Sequence, residues 1–227
     1  MSPLARKLTV EFIGTFFLMF TVGMATATAG TLAPLAIGTT LMVMAFAGGH
    51  ISDGHFNPAV STAVLLRGKL AARDYVPYIV TQAVAAILAG LLVRGMNYGP
   101  ADAMPVAGSG TMLVAEFLFT FALAYVVLNV ATADDTANNS FYGLAIGFTL
   151  VAGAFAIGSV SGGALNPAIA IGASVLGLFA WGNIWIYLIA GFAGGAAAAA
   201  AFRLTQPAEG PKRVGGHAKG DVSLRAA

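Results

Sequence analysis

The tripeptide Asn-Pro-Ala occurs twice, at residues 57–59 and 166–168, so the copies lie almost half the chain apart. Each opens a short apolar piece, about 57–66 and about 166–176. Asn favours the N-cap, where its side chain satisfies an orphan backbone donor, and Pro suits the first helical turn. Both copies therefore predict an abrupt helix start. Each follows an irregular approach rich in glycine. The first runs Gly48-Gly49-His50-Ile51-Ser52-Asp53-Gly54-His55-Phe56, and the second Ser159-Val160-Ser161-Gly162-Gly163-Ala164-Leu165.

The surrounding sequence is far more apolar than a soluble fold allows. A helix crossing a bilayer needs roughly 20 apolar residues, since it rises about 1.5 Å per residue. Six stretches qualify, at about 8–29, 33–50, 74–94, 112–132, 142–160 and 181–203, whereas the two Asn-Pro-Ala pieces are too short. Only 9% of residues are charged, 58% are hydrophobic and the mean hydropathy is +0.84. Soluble domains carry about 25% charged residues and need polar cover for a large outer surface. The solvent implied is lipid. The first stretch, from Leu8 to about Ala29, is long enough to stay in the bilayer and does not read as a cleavable signal.

Basic residues set the expected orientation. Arg6 and Lys7 precede the first span, Arg67, Lys69 and Arg73 lie between the second and third, and Arg203, Lys212, Arg213, Lys219 and Arg225 end or follow the sixth. Arg94 is the exception on the other side. The positive-inside rule then places both termini and the first half-helix in the cytoplasm. A net charge of +2 spread this thinly does not suit nucleic-acid binding. With no cysteine there is no disulfide framework, thiolate metal site or cysteine nucleophile.

The duplication extends beyond the tripeptide. Glu11-Phe12 opens the first span, and Glu116-Phe117 recurs in the fourth at nearly the same spacing. Each half reads as three spans with a half-span between its second and third. Three is odd, so the second half enters the membrane inverted. The expectation is an all-α membrane protein of six transmembrane helices and two half-helices. Residues 1–205 form one channel domain with inverted repeats at about 1–100 and 108–205. The Gly-rich, basic segment 206–227 is expected to be a disordered cytoplasmic tail.

Irregular backbone at membrane depth is tolerated only where protein buries it or where it lines a water-filled cavity. Inverted repeats place such broken helices at the midplane with their N-termini towards the permeant. The pore centre is expected at Asn57, Pro58, Ala59, Asn166, Pro167 and Ala168. Two helix N-termini meeting there bring about half a positive charge each, and the Asn amides offer donors to a passing oxygen. The backbone of Gly54, His55, Phe56, Gly162, Ala164 and Leu165 is expected to line the path with carbonyl acceptors. Such a path repels cations and hydronium and admits neutral hydroxyl-bearing solutes. The function implied is passive passage of water or other small uncharged solutes, without ions or protons.

At these residues the chain resembles the aquaporins of the major intrinsic protein family, from Leu8 to Phe202. The segment Ala45-Phe46-Ala47-Gly48-Gly49-His50-Ile51-Ser52-Asp53-Gly54-His55-Phe56-Asn57-Pro58-Ala59-Val60 is similar to bacterial water channels almost residue for residue. Glu11, Glu116, Gln82 and Ser161-Gly162-Gly163 also fit. The resemblance implies an aquaporin-like fold and a homotetramer with one pore per protomer, in the inner (cytoplasmic) membrane of a bacterium. It also implies a selectivity filter at Ile37, Ala154, Gly163 and Ile169. Water-selective members resemble one another in having an aromatic, a His, a small residue and an Arg there. This chain has neither the His nor the Arg. Glycerol facilitators usually follow the second motif with Arg-Asp, where Ile169-Ala170 stands here. A wider, more apolar filter is expected, tolerant of glycerol, urea, ammonia or hydrogen peroxide. Apolar walls could instead slow permeation by dewetting.

Ionisable groups inside apolar spans are functional candidates by default. Glu11 and Glu116 read either as a proton relay in a coupled secondary transporter or, as the resemblance implies, as structural acceptors for the donors of the irregular loops. His50, Asp53 and His55 are thin support for a metal site, which wants three or four convergent ligands. Loop packing and pore lining are the expectation, with no metal and no cofactor. No nucleophile–base pair points to an enzyme. Gly191, Gly194, Gly195 and Ala196 to Ala201 read as close helix packing or as subunit contacts. The sequon Asn138-Asn139-Ser140 falls in a loop assigned to the cytoplasm and is discounted.

Overall fold

The computed structural model describes residues 1–207, so the expected tail falls, from 208 onward, outside the described residues. The helices in chain order are α1 (Pro3–Thr28), α2 (Ala33–Ser52), α3 (Pro58–Arg67), α4 (Ala72–Gly95), α5 (Ser109–Ala131), α6 (Tyr142–Ser161), α7 (Pro167–Leu176) and α8 (Ile184–Thr205). Six are long and apolar enough to cross a membrane, and α3 and α7 are the short pair. The expected spans are all present. The largest boundary difference is at α1, which starts at Pro3 rather than at the expected Leu8. Ser2 accepts from the Ala5 amide at 3.2 Å and Pro3 fits the first turn, so the helix forms through the polar Arg6 and Lys7 before its apolar run.

The two halves interlock. In the first, α1 packs on α2 and α4; in the second, α5 packs on α6 and α8. The halves meet where α2 lies on α6. Each half-helix is held mainly by the last helix of the other half, α3 by α8 and α7 by α4. Arg67, ending α3, lies over the Phe202 ring of α8 at 4.7 Å, and Arg203 of α8 donates to the Leu66 carbonyl.

Lipid offers helices no hydrophobic drive to associate, so close backbone approach and buried polar bonds must hold them. The α2–α6 crossing shows the first device. Gly38 and Gly147 are counterparts in the two repeats, and a Cβ on either would stand 2.6 Å from the other's carbonyl oxygen. The glycines of α8 serve the same end within the chain. A Cβ at Gly191 would stand 2.7 Å from the Pro167 ring, and one at Gly194 would stand 2.9 Å from the Phe117 carbonyl. Val76, Val80, Val114, Leu118, Phe148 and Phe155 face outward, while Glu11, Gln82 and Glu116 are buried inside.

Widening the α2–α6 contact should therefore be costly. Gly147→Val is expected to destabilise the fold by about 1–3 kcal/mol through overpacking. Gly110→Ala, where a Cβ would meet nothing within 4 Å, should leave stability unchanged. Unfolding midpoints in mixed micelles with sodium dodecyl sulfate measure both.

Candidate functional site

The two approaches to the half-helices fold alike. Asp53, Gly54 and Phe56 have φ of 67°, 60° and 48°; Gly162, Gly163 and Leu165, their counterparts in the second repeat, have 94°, 63° and 50°. Left-handed backbone at Phe56 and Leu165 costs on the order of 1–3 kcal/mol each, so the surroundings must impose it. Buried carboxylates do so. Glu11 accepts from the Ser52 hydroxyl at 2.8 Å, the His55 amide at 2.9 Å, the Phe56 amide at 2.7 Å and the Gln82 side chain at 2.8 Å. Glu116 accepts from the Ser161 hydroxyl at 2.6 Å and from the Ala164 and Leu165 amides at 3.0 and 2.8 Å.

A tyrosine completes each clasp. The Tyr78 hydroxyl donates to the Ser52 carbonyl at 2.9 Å and the Tyr187 hydroxyl to the Ser161 carbonyl at 2.5 Å. Sequence reasoning missed this pair, although its spacing is the one set by the Asn-Pro-Ala copies. Gln82 has no such twin. Gly191 stands at the corresponding position and packs on Pro167 instead.

The clasps dictate which way the peptide groups face. In a trans peptide the carbonyl points opposite to the N–H of the next residue, and the described residues contain no cis bond. With the amides of 55, 56, 164 and 165 turned to the carboxylates, the carbonyls of Gly54, His55, Gly163 and Ala164 turn away from them. All four residues border one cavity of about 190 Å³. Gly162 borders it as well.

Phe56 and Leu165, whose backbone was also expected to line the path, are not among the residues that border this cavity. Their carbonyls each accept one bond across the interface between halves, which leaves a second lone pair on each oxygen. The Asn166 amide donates to the Phe56 carbonyl at 2.8 Å, and the Asn57 amide donates to the Leu165 carbonyl at 2.9 Å. Both side chains are buried in helix packing, at 1% and 0% exposure.

Of the residues expected at the pore centre, only Asn57 and Asn166 border the cavity. Pro58, Ala59, Pro167 and Ala168 are buried in the first turns of α3 and α7. The Asn57 side-chain oxygen caps Ala59 at 2.8 Å, and that of Asn166 caps Ala168 at 3.0 Å. Each amide nitrogen has two hydrogens, and one is committed to the opposite half. The other is left for whatever occupies the cavity. The positive ends of α3 and α7 converge at this point.

The four proposed filter positions, Ile37, Ala154, Gly163 and Ile169, border the same cavity. None presents a polar side chain. Gly163 contributes backbone alone, since a Cβ there would point at Ala154 and Gly158 of α6. Much of the remaining wall is apolar, with Val22, Leu41, Leu123 and Leu150 among its side chains, and Thr26 and His55 join the two asparagines as polar groups. Met104, Leu178 and Phe179 border the cavity too. No motif or spacing marked these three, because they come from the connections before α5 and after α7.

A wider cavity of about 390 Å³ shares Gly54 and Ile146 with the first and is bordered by His50, Asp53, Asp134, Asn138 and Tyr142. It forms a vestibule, with the Lys69–Asp134 ion pair beside it at 3.6 Å. His50 and Asp53 open onto this wide mouth. His55 lies deeper, with Nδ1 at 3.0 Å from the Ser61 hydroxyl. Among the described residues no group of three His, Asp or Glu side chains converges as metal ligands would.

The loops should fail without their acceptors. Glu116→Ala strands three donors, each costing about 1–3 kcal/mol when buried unpaired, while Glu116→Gln keeps one oxygen. The yield of monodisperse protein on size-exclusion chromatography should fall in the order wild type, Gln, Ala.

The family model for Major intrinsic protein matches residues 2–202. The "Glycerol uptake facilitator protein-like 6" of Lactiplantibacillus plantarum is 41% identical over 199 residues, which is 82% of this chain and 91% of that protein. "Aquaporin NIP1-4" of Oryza sativa subsp. japonica is 36% identical over 211 residues, 88% of this chain and 76% of that one. The fold matches the X-ray structure of the aquaglyceroporin from Plasmodium falciparum with a TM-score of 0.77. That match has 21% identity and covers 91% of this chain and 98% of that one.

Proposed function

The chain belongs to the major intrinsic protein family, and from that membership we propose that it conducts water and other small uncharged solutes passively between its two half-helices. One observation carries the reading. Asn57 and Asn166 border a single cavity while each is tied to the other half's backbone. A solute oxygen at the centre meets two fixed donors at two positive helix ends, and carbonyls of Gly54, His55, Gly163 and Ala164 flank it on either side. A file of water is thereby turned in opposite senses in the two halves, and a cation meets repulsion at the centre.

The proton-coupled alternative finds no support. Glu11 and Glu116 do not border the cavity, and their oxygens are occupied by loop donors. Their role in this reading is structural, and the channel has no enzymatic activity.

The filter is assigned to Ile37, Ala154, Gly163 and Ile169. Without a guanidinium or imidazole it lacks both the bulk and the charge that would confine passage to water. Glycerol and urea fit this description, and one relative is named as a glycerol uptake facilitator. Residues 1–205 act as one channel domain built of repeats at about 1–100 and 108–205. The protein is a homotetramer in an inner membrane, with one pore per protomer and both termini cytoplasmic, as its basic residues favour.

Stopped-flow light scattering on proteoliposomes tests the reading. Osmotic shrinkage and entry of glycerol and urea should both exceed those of protein-free vesicles, with no dependence on a pH gradient. Ile169→Arg should slow glycerol about tenfold, the equivalent of about 1.4 kcal/mol at the barrier, while water still passes. Fast shrinkage without solute entry would refute the broadened filter, and a single-channel current would refute ion exclusion.

A further inference from the structure

We propose that Phe179 sets the size limit for solutes in this channel, an inference that rests on the conduction path assigned above. The four filter positions hold nothing larger than isoleucine, and Gly163 holds no side chain at all. Among the described residues that border the cavity, Phe179 carries the only phenyl, phenol or indole ring.

Its position is fixed from several sides. After α7 the chain turns at Gly177 (φ 96°), and the amides of Leu178 and Phe179 both donate to the Ala173 carbonyl, at 2.8 and 3.3 Å. The ring stacks on Tyr187 with centroids 4.9 Å apart and planes 10° from parallel. Tyr187 is the residue whose hydroxyl clasps the Ser161 carbonyl. The ring is therefore registered against the same loop that presents Gly162 and Gly163 to the path.

The ring edge occupies the space a side chain at 162 would take. A Cβ on Gly162 would stand 2.5 and 2.6 Å from the Phe179 ring and 3.3 Å from the Met104 sulfur. Met104 is itself tied in, its amide donating to the Leu178 carbonyl at 3.0 Å. Ring and thioether thus converge one residue before filter position Gly163. A rigid aromatic backed by a flexible methionine makes one wall of the path, which resists wide solutes and adjusts to narrow ones.

The other half of the molecule holds no ring at this position. The counterpart of Phe179 in the first repeat is Leu70; the two are equally buried, at 4% and 5% exposure, but only Phe179 borders the cavity. The clasping tyrosine is kept in both halves, but a phenyl ring reaches the path from only one.

The test is the ratio of solute to water permeability in proteoliposomes, which does not depend on how much folded protein each vesicle holds. Water, glycerol, erythritol and ribitol are compared across wild type, Phe179→Ala, Phe179→Leu and Phe179→Trp. Removing the ring should raise the ribitol-to-water ratio about tenfold. Phe179→Trp should lower the glycerol-to-water ratio while water still passes. Phe179→Leu keeps an apolar side chain against Tyr187, so it decides the matter if the alanine variant does not fold. A wild type that conducts water and glycerol, with ratios unchanged in the Leu and Trp variants, overturns the role of Phe179 alone. A wild type that conducts neither overturns the conduction path as well.

Discussion

Everything at the centre of this molecule depends on two carboxylates buried in the bundle. A lone carboxylate in such surroundings would be prohibitively costly. Glu11 and Glu116 are tolerated because hydroxyl, amide and side-chain donors surround them, with bonds to charged acceptors among the stronger ones available. The dependence is mutual. The left-handed turns at Phe56 and Leu165 would relax without the carboxylates, and the carboxylates would be unsolvated without the turns. From this clasp follow the carbonyls turned away from the carboxylates and the placement of both asparagines at one cavity.

The asparagines then do two jobs with one side chain. The oxygen caps its own half-helix, and the amide binds the backbone of the opposite half. The half-helices cannot separate without losing buried hydrogen bonds, so the donor positions at the centre are rigid. Rigidity matters here because a donor that follows its solute would not discriminate between orientations or charges. The structure is symmetric where it carries this task and asymmetric elsewhere. Gln82 reinforces one clasp where Gly191 packs in the other, and Phe179 borders the cavity where Leu70 does not.

The bilayer reverses the usual arrangement of a folded chain. Leucine, valine and phenylalanine cover the outside, and the polar groups lie within. Cohesion comes from backbone approach, at Gly38 and Gly147 and along the glycines of α8, and from the buried hydrogen bonds. A small-residue surface on α8 thus proves to be the seat for α3 and for Pro167 inside the same chain.

Much of this is legible in the sequence. The six spans follow from apolar length against bilayer thickness, and the half-helix starts from the capping chemistry of Asn-Pro. The inversion follows from an odd number of spans per repeat. These are local or counting properties, which the chain carries wherever it folds. What it could not disclose is which backbone groups end up facing each other. Phe56 and Leu165 immediately precede the two motifs, and the carbonyl of each accepts from the asparagine of the opposite half. Tyr78 and Tyr187 carried a signal only in their offset, and Met104 and Phe179 carried none. Their roles arise when connections of irregular conformation dock on helices far away in sequence, and the geometry of that docking is set by packing rather than by any pattern along the chain.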